Sequence, residues 1–199
     1  MRSFRNIFRI ALVGLFILSS AVAANADQPA LSIYTSDWGL GSTNIGPQII
    51  AALWTDGRIV WSSKSLIEGG RPLKQGKFPP EKLRALLDNL DGKGVFKNKA
   101  LNQAKFGPDS QFTSISINDG KRRLKMESWH ELFEINTNLV ATAHGIEVLG
   151  SRSRERVMNE QPADYKAYIA TWSEIRQAVS ELIPKEGQPF EGEVKIKSK

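Results

Sequence analysis

Apolar residues are distributed along the chain in three patterns: one almost unbroken run, short stretches flanking Asp-Gly pairs, and stripes at steps of three and four. The short stretches predict strands. Residues 48–55 and 58–63 flank Asp56-Gly57, and residues 112–118 and 121–127 flank Asp119-Gly120. A two-residue hairpin loop needs positive φ at its centre, which Asp tolerates and Gly accepts freely. With that loop in the first pair, Trp54 is expected opposite Ile59 and Ala52 opposite Trp61, with Leu53 and Val60 on the other face. Both faces are apolar, which predicts a sheet centre covered on both sides. In the second pair Ile115, Ile117, Leu124 and Met126 share one face, while Ser114, Ser116, Arg123 and Lys125 share the other. That is the half-buried pattern. A short stretch at 31–35 predicts an opening strand.

The stripes predict helices. Proline at a helix start gives up only an N–H that has no partner there, so Pro79-Pro80-Glu81 opens a helix with Leu83, Leu86, Leu87 and Leu90 inward, stopped by Asp91-Gly92. Ser128-Trp129-His130-Glu131 reads as a capping box for a second helix, with Leu132, Ile135, Leu139 and Ala143 inward and an end near Gly145. A third, over about 164–183, carries Tyr165, Tyr168, Trp172, Ile175, Val179 and Leu182. Its two and a half heptads fall short of a coiled coil, so it is expected to pack on the sheet. The implied fold class is α+β: an antiparallel sheet of two Asp-Gly hairpins plus an opening strand, packed against about three amphipathic helices. Residues 64–78 and 98–110 read as surface loops. The predicted domain is 27–187, followed by a loose basic tail at 188–199.

The unbroken run changes how composition is read. Arg2, Arg5 and Arg9 precede the apolar stretch from Ile10 to Ala24, and Ala24-Asn25-Ala26 has the small residues that signal peptidase reads. Cleavage is expected between Ala26 and Asp27. The run is shorter than the roughly 20 apolar residues a spanning helix needs. No second long run follows, so no membrane span is expected once the signal is removed, and the product is predicted to be periplasmic or extracellular. The whole chain has 199 residues, 27 bases, 21 acids and a formal charge of +6. Without the three leader arginines there are 24 bases against 21 acids, a charge of only +3. That excess and the export address argue against nucleic acid as a partner. There is no cysteine, which removes thiol chemistry and cysteine-rich metal sites and leaves packing to hold the domain. No Asn-x-Ser/Thr acceptor site occurs, in keeping with a bacterial source.

Motifs for catalysis are incomplete. His130-Glu131-Leu132-Phe133-Glu134 opens like a zinc-protease helix, but Glu134 stands where a second histidine is wanted. On a continuous helix His144 would lie about 21 Å along the axis from His130, too far to share an ion. Gly41 to Gly46 has P-loop spacing, but Pro47-Gln48 stands where Lys and Ser or Thr are needed. No Gly-x-Ser-x-Gly elbow occurs, and Ser128, beside His130, reads as a helix cap. No catalytic residue, metal or cofactor is therefore expected. In the glycine-rich loop Trp38 is the best candidate for ligand contact, with Asp37 and Asn44 beside it. Arg122, Arg123, Arg152 and Arg154 are candidates for contact with an anionic surface.

The succession of strand, Asp-Gly turn and strand (49–61), proline-started helix (79–90), Phe96, an Asp109 loop and a second Asp-Gly hairpin (113–126) resembles small secreted bacterial domains of unknown function. The resemblance covers roughly residues 31–130. It implies export and an α+β fold, and carries over no catalytic residue. The functional expectation is a non-catalytic exported module that binds a protein or envelope component. The alternatives are an exported hydrolase with an acid-based site and an inhibitor of an exported enzyme.

Overall fold

The computed structural model describes residues 28–36, 46–102, 104–105 and 111–196. The leader with its Ala26-Asp27 junction, the candidates Asp37, Trp38 and Asn44, and Asp109 lie outside the described residues. The strands are β1 (Leu31–Ser36), β2 (Gln48–Leu53), β3 (Arg58–Ser62), β4 (Leu73–Lys77), β5 (Ala104–Lys105), β6 (Phe112–Asn118), β7 (Arg123–Ser128), β8 (Leu139–Thr142), β9 (Gly145–Val148) and β10 (Gln188–Phe190). The helices are α1 (Pro80–Gly92), α2 (His130–Phe133), α3 (Arg154–Asn159) and α4 (Ala163–Leu182). Eight strands form one sheet in the order β10-β4-β3-β2-β1-β6-β7-β5, while β8 and β9 form a separate hairpin. Apart from the parallel β5–β7 contact the large sheet is antiparallel. The architecture is α+β.

The inner face of the sheet carries Leu31, Ile33, Leu53, Ile59, Ile115, Ile117, Leu124 and Met126, packed against the leucines of α1 and the aromatic stripe of α4. α1 buries Leu83, Leu86, Leu87 and Leu90. α4 buries Tyr165, Tyr168, Trp172, Ile175, Val179 and Leu182. The two helices are tied by Glu174, which accepts from Asn89 Nδ2 at 2.6 Å and pairs with Lys93 Nζ at 2.7 Å.

The β2–β3 register differs from expectation by one residue. Leu53 faces Ile59, Ala52 faces Val60 and Ala51 faces Trp61. The loop has three residues, with Trp54 N donating to Arg58 O at 2.9 Å and Gly57 at φ 85°. Such a loop, with its last residue left-handed, suits Asp-Gly as well as the two-residue one does. Because side chains alternate faces, the slip puts Trp61 on the helix side and Trp54 on the outer side. At β6–β7 the loop has four residues and Ile115 faces Met126. This shift of two leaves every side chain on its expected face.

The largest departure lies after β7. The expected helix to Gly145 ends at Phe133, and the chain turns back as the β8–β9 hairpin. Ile135, expected inward, is 55% exposed, whereas Val140 and Ala141 are buried. The Asn136-Thr137-Asn138 segment supplies the reason: Asn136 Oδ1 accepts from Asn138 N at 3.1 Å, a side-chain turn that competes with the helix. Nor does Ser128 cap α2: it ends β7, and Trp129 is the N-cap residue without a side-chain bond. With no continuous helix, the distance argument separating His130 from His144 loses its premise. His130 is buried and His144 sits exposed in the β8–β9 turn.

Two segments expected to be irregular join the sheet. β4 lies inside the expected 64–78 loop, and β10 lies inside the expected loose tail, paired with β4. Beyond β10, residues 191–196 cross the outer face, where Phe190, Val194 and Ile196 pack on Tyr34, Ile49, Ala52, Trp54, Val60 and Leu73. The apolar outer side chains of the central strands account for this: without that strap they would face water.

Candidate functional site

Two places gather polar groups against apolar walls. The first is the end of the inner face where β1, β6 and β7 place Thr35, Thr113 and Ser128 side by side as cross-strand partners. All three are buried. Thr35 Oγ1 donates to Glu68 O at 2.7 Å and accepts from Gln111 Nε2 at 3.3 Å, while Thr113 Oγ1 has no partner among the described residues. Ser128 Oγ lies 2.7 Å from His130 Nδ1 and also accepts from the His130 backbone N–H at 3.3 Å. Burial disfavours the imidazolium, so the His130 pKa is lowered, against the opposing pull of Glu131 and Glu134. His130 meets the Trp172 ring edge-on, centroids 5.0 Å apart.

Glu131 stands above this row. Its Oε1 accepts from Trp172 Nε1 and from Arg176 Nε, both at 2.8 Å, and Arg176 also reaches Leu66 O. Oε1 thereby ties α2, α4 and the 64–70 loop together, while Oε2, also buried, has no partner among the described residues. A serine and a neutral histidine in contact invite comparison with a nucleophile and its base. Here the two are separated by one residue, both are buried, and the serine oxygen also receives the histidine's own backbone N–H. That is a local turn-type bond, of the kind short polar side chains make.

The second place is the outer face under the strap. A cleft of about 620 Å³ runs between the start of β2 and the strap, with Ile49, Leu73, Val194 and Ile196 on its walls and Arg71 at its edge. A second, of about 330 Å³, is lined by Trp54, Val60, Gln75 and Phe190. The two share Gly192 and Glu193 of the strap. The Arg71 guanidinium donates to three strap carbonyls, Phe190 O at 3.4 Å, Glu191 O at 3.5 Å and Gly192 O at 2.8 Å. Gln75 Nε2 donates to Pro189 O at 3.3 Å. Trp54 is 7% exposed, and its indole N–H has no acceptor among the described residues. The Arg58 guanidinium lies 5.0 Å over the same ring. Arg58 also faces Lys77 directly across the β3–β4 ladder.

The basic residues proposed from sequence do not assemble into one patch. Arg122 pairs with Asp88 and Asp119, both at 2.7 Å, in the β6–β7 turn. Burial would raise the Asp119 carboxyl, but the Arg122 and Lys121 N–H groups and the guanidinium hold it below its ordinary value. Arg123 is exposed at the start of β7. Arg152 pairs with Glu147 at 2.9 Å, and Arg154 with Glu134 at 2.8 Å while donating to Leu139 O. This second pair serves the β8–β9 hairpin, which follows the other end of β7. The two pairs of arginines thus lie towards opposite ends of β7, with three of the four guanidiniums in ion pairs.

Neither site was chosen from sequence. A place in the first turn of a surface helix predicts partial exposure for His130, whereas it is buried. The strap did leave a trace: 190–196 alternates Phe190, Val194 and Ile196 with Glu191, Glu193 and Lys195, the period of an extended segment with one face buried. The architecture is an α+β domain with one eight-stranded sheet, a separate β8–β9 hairpin, and an apolar outer face crossed by residues 188–196. No family model, curated protein or solved structure matches this chain.

Proposed function

We propose that this chain is an exported, non-catalytic binding module whose recognition surface is the outer face of the sheet around the strap. The observation that carries the reading is the pair of clefts there that share Gly192 and Glu193, with apolar walls, a buried Trp54 N–H lacking an acceptor among the described residues, and Arg58 and Arg71 in their lining. A mostly apolar concavity with a few directed polar groups is the usual form of a binding site. The partner class is a protein or envelope component met after export. No nucleic acid or cofactor enters the proposal, and no helix among the described residues is long and apolar enough to cross a membrane.

A photocrosslinker at Gln75, on the outer face, is expected to capture a partner in the exporting cell that one at Arg84, on α1, does not. The purified protein is expected to turn over none of a panel of ester, peptide and glycoside substrates. Turnover lost on Ser128→Ala or Glu131→Gln would overturn the reading in favour of a hydrolase built on the inner cluster.

A further inference from the structure

The strap is itself informative about what the outer face can hold. Its anchors Phe190, Val194 and Ile196 are only half-buried, although the sheet residues beneath them are buried. It is held by three strand pairings at β10, then by Arg71 and Gln75 reaching main-chain carbonyls. Carbonyl contacts of this kind do not depend on which side chains the held segment carries, and alternating apolar positions over a sheet are how extended peptides are read. Space remains beside it, in the clefts of about 620 and 330 Å³ that share Gly192 and Glu193. The indole N–H of Trp54, at the second cleft, has among the described residues no acceptor of the kind a peptide carbonyl could supply.

Charge selects among peptides. On the outer side of β3 and β4 Lys77 faces Arg58, whose guanidinium pairs with Asp56 at 2.7 Å, and Arg71 flanks the strap. The strap's polar positions include Glu191 and Glu193, with Glu191 Oε2 3.8 Å from Arg71 Nη1. The complementary ligand is an extended segment with apolar residues at alternate positions and acids between them.

We infer that residues 188–196 are a displaceable occupant of a peptide groove, and that the physiological ligand is an extended acidic-apolar segment of an exported partner that takes their place. The inference rests on the outer-face binding reading and adds the ligand's chemistry and the means of its exclusion. An equilibrium between bound strap and bound partner reduces apparent affinity by the fraction of molecules with the groove open.

The probe is a fluorescein-labelled peptide of this chain's residues 186–196. The receptor is the full chain carrying Val194→Asp and Ile196→Asp, which removes two apolar anchors while keeping β10. The peptide should bind this variant at least tenfold more tightly than the unaltered chain, weaken with added salt, and lose binding when it carries the same two aspartates. Equal binding to both chains, or none to a variant that still melts cooperatively, overturns the inference. If the variant does not fold, hydrogen exchange on the unaltered chain decides: amides of 191–196 should exchange at least a hundredfold faster than those of β1 and β2. Equal protection overturns it. Crosslinking from Gln75 can succeed when peptide binding fails, which separates loss of this inference from loss of the binding-module reading.

Discussion

Glu131→Ala takes away the acceptor that serves Trp172 Nε1 and Arg176 Nε at 2.8 Å each. Trp172 is 1% exposed, so its N–H cannot turn to water, and a buried donor left unsatisfied costs about 1–3 kcal/mol. The Glu131–Arg176 side chains are 19% and 16% exposed. That places the pair between exposed bridges, worth about 0–1 kcal/mol, and fully buried ones, where losing one partner costs about 3–5 kcal/mol. A further ~1–2 kcal/mol is reasonable once solvent screening is counted, giving about 3 kcal/mol in all. At roughly 2–4 °C per kcal/mol for a domain of this size, Tm should fall by about 6–12 °C. Urea unfolding followed by tryptophan fluorescence measures the free energy. A double-mutant cycle with Arg176→Met isolates the pair from the indole bond. Glu131→Gln, which retains an oxygen acceptor, should lose less than Glu131→Ala. A loss below about 1 kcal/mol for Glu131→Ala would refute the view that this carboxylate is spent on structure, and would return it to the pool of candidate catalytic groups.

Three other outcomes follow from the same structure. Gly69 has φ +74° and an added Cβ would stand 2.7 Å from both Gln48 O and Ile49 O, so Gly69→Ala should lower stability by about 1–3 kcal/mol. Gly150→Ala, left-handed but in open space, should lose less in the same thermal melts. Because burial lowers the His130 pKa, the unfolded chain binds the proton more readily. Stability should therefore be full above about pH 6.5, the unfolded value, and decline as pH falls below it until the folded pKa is passed. His130→Asn should flatten that decline in urea titrations between pH 5 and pH 7, and an unchanged slope would count against it. The leader expected from the sequence predicts that mass spectrometry of the protein purified from its host finds Asp27 at the N-terminus, whereas a retained Met1 would count against cleavage.

How much was legible depends on how local the deciding interactions are. α1 and α4 could be read because a stripe of Leu83, Leu86, Leu87 and Leu90, or of Tyr165 through Leu182, has only one way to be buried on a helix. The stripe Leu132, Ile135, Leu139 and Ala143 has the same spacing but is helical only at Leu132, because turn-forming Asn136 and Asn138 and the β-branched residues around Val140 compete within the same window. Ser128, His130 and Glu131 were noticed as a motif, but their neighbours Thr113, Trp172 and Arg176 are far away in the chain. No local signal joins them.

The sequence by itself determined α1 and α4, the strand pairs around the two Asp-Gly turns, which face of β6 and β7 is apolar, and a chain held without disulfides. These depend on side-chain period and backbone preference, which a few neighbouring residues settle. Tertiary structure decided the rest. Asp56-Gly57 permits two loop lengths, and the one adopted places Gly57 against Phe78, whose N–H donates to Gly57 O at 2.9 Å, and turns Trp61 to the helices and Trp54 outward. That outward face had to be covered, and the covering came from residues 188–196, more than 130 positions away from Trp54. Their alternation is written in the chain, but what they lie on is not, because a strand's partner is chosen by the assembled surface rather than by the strand.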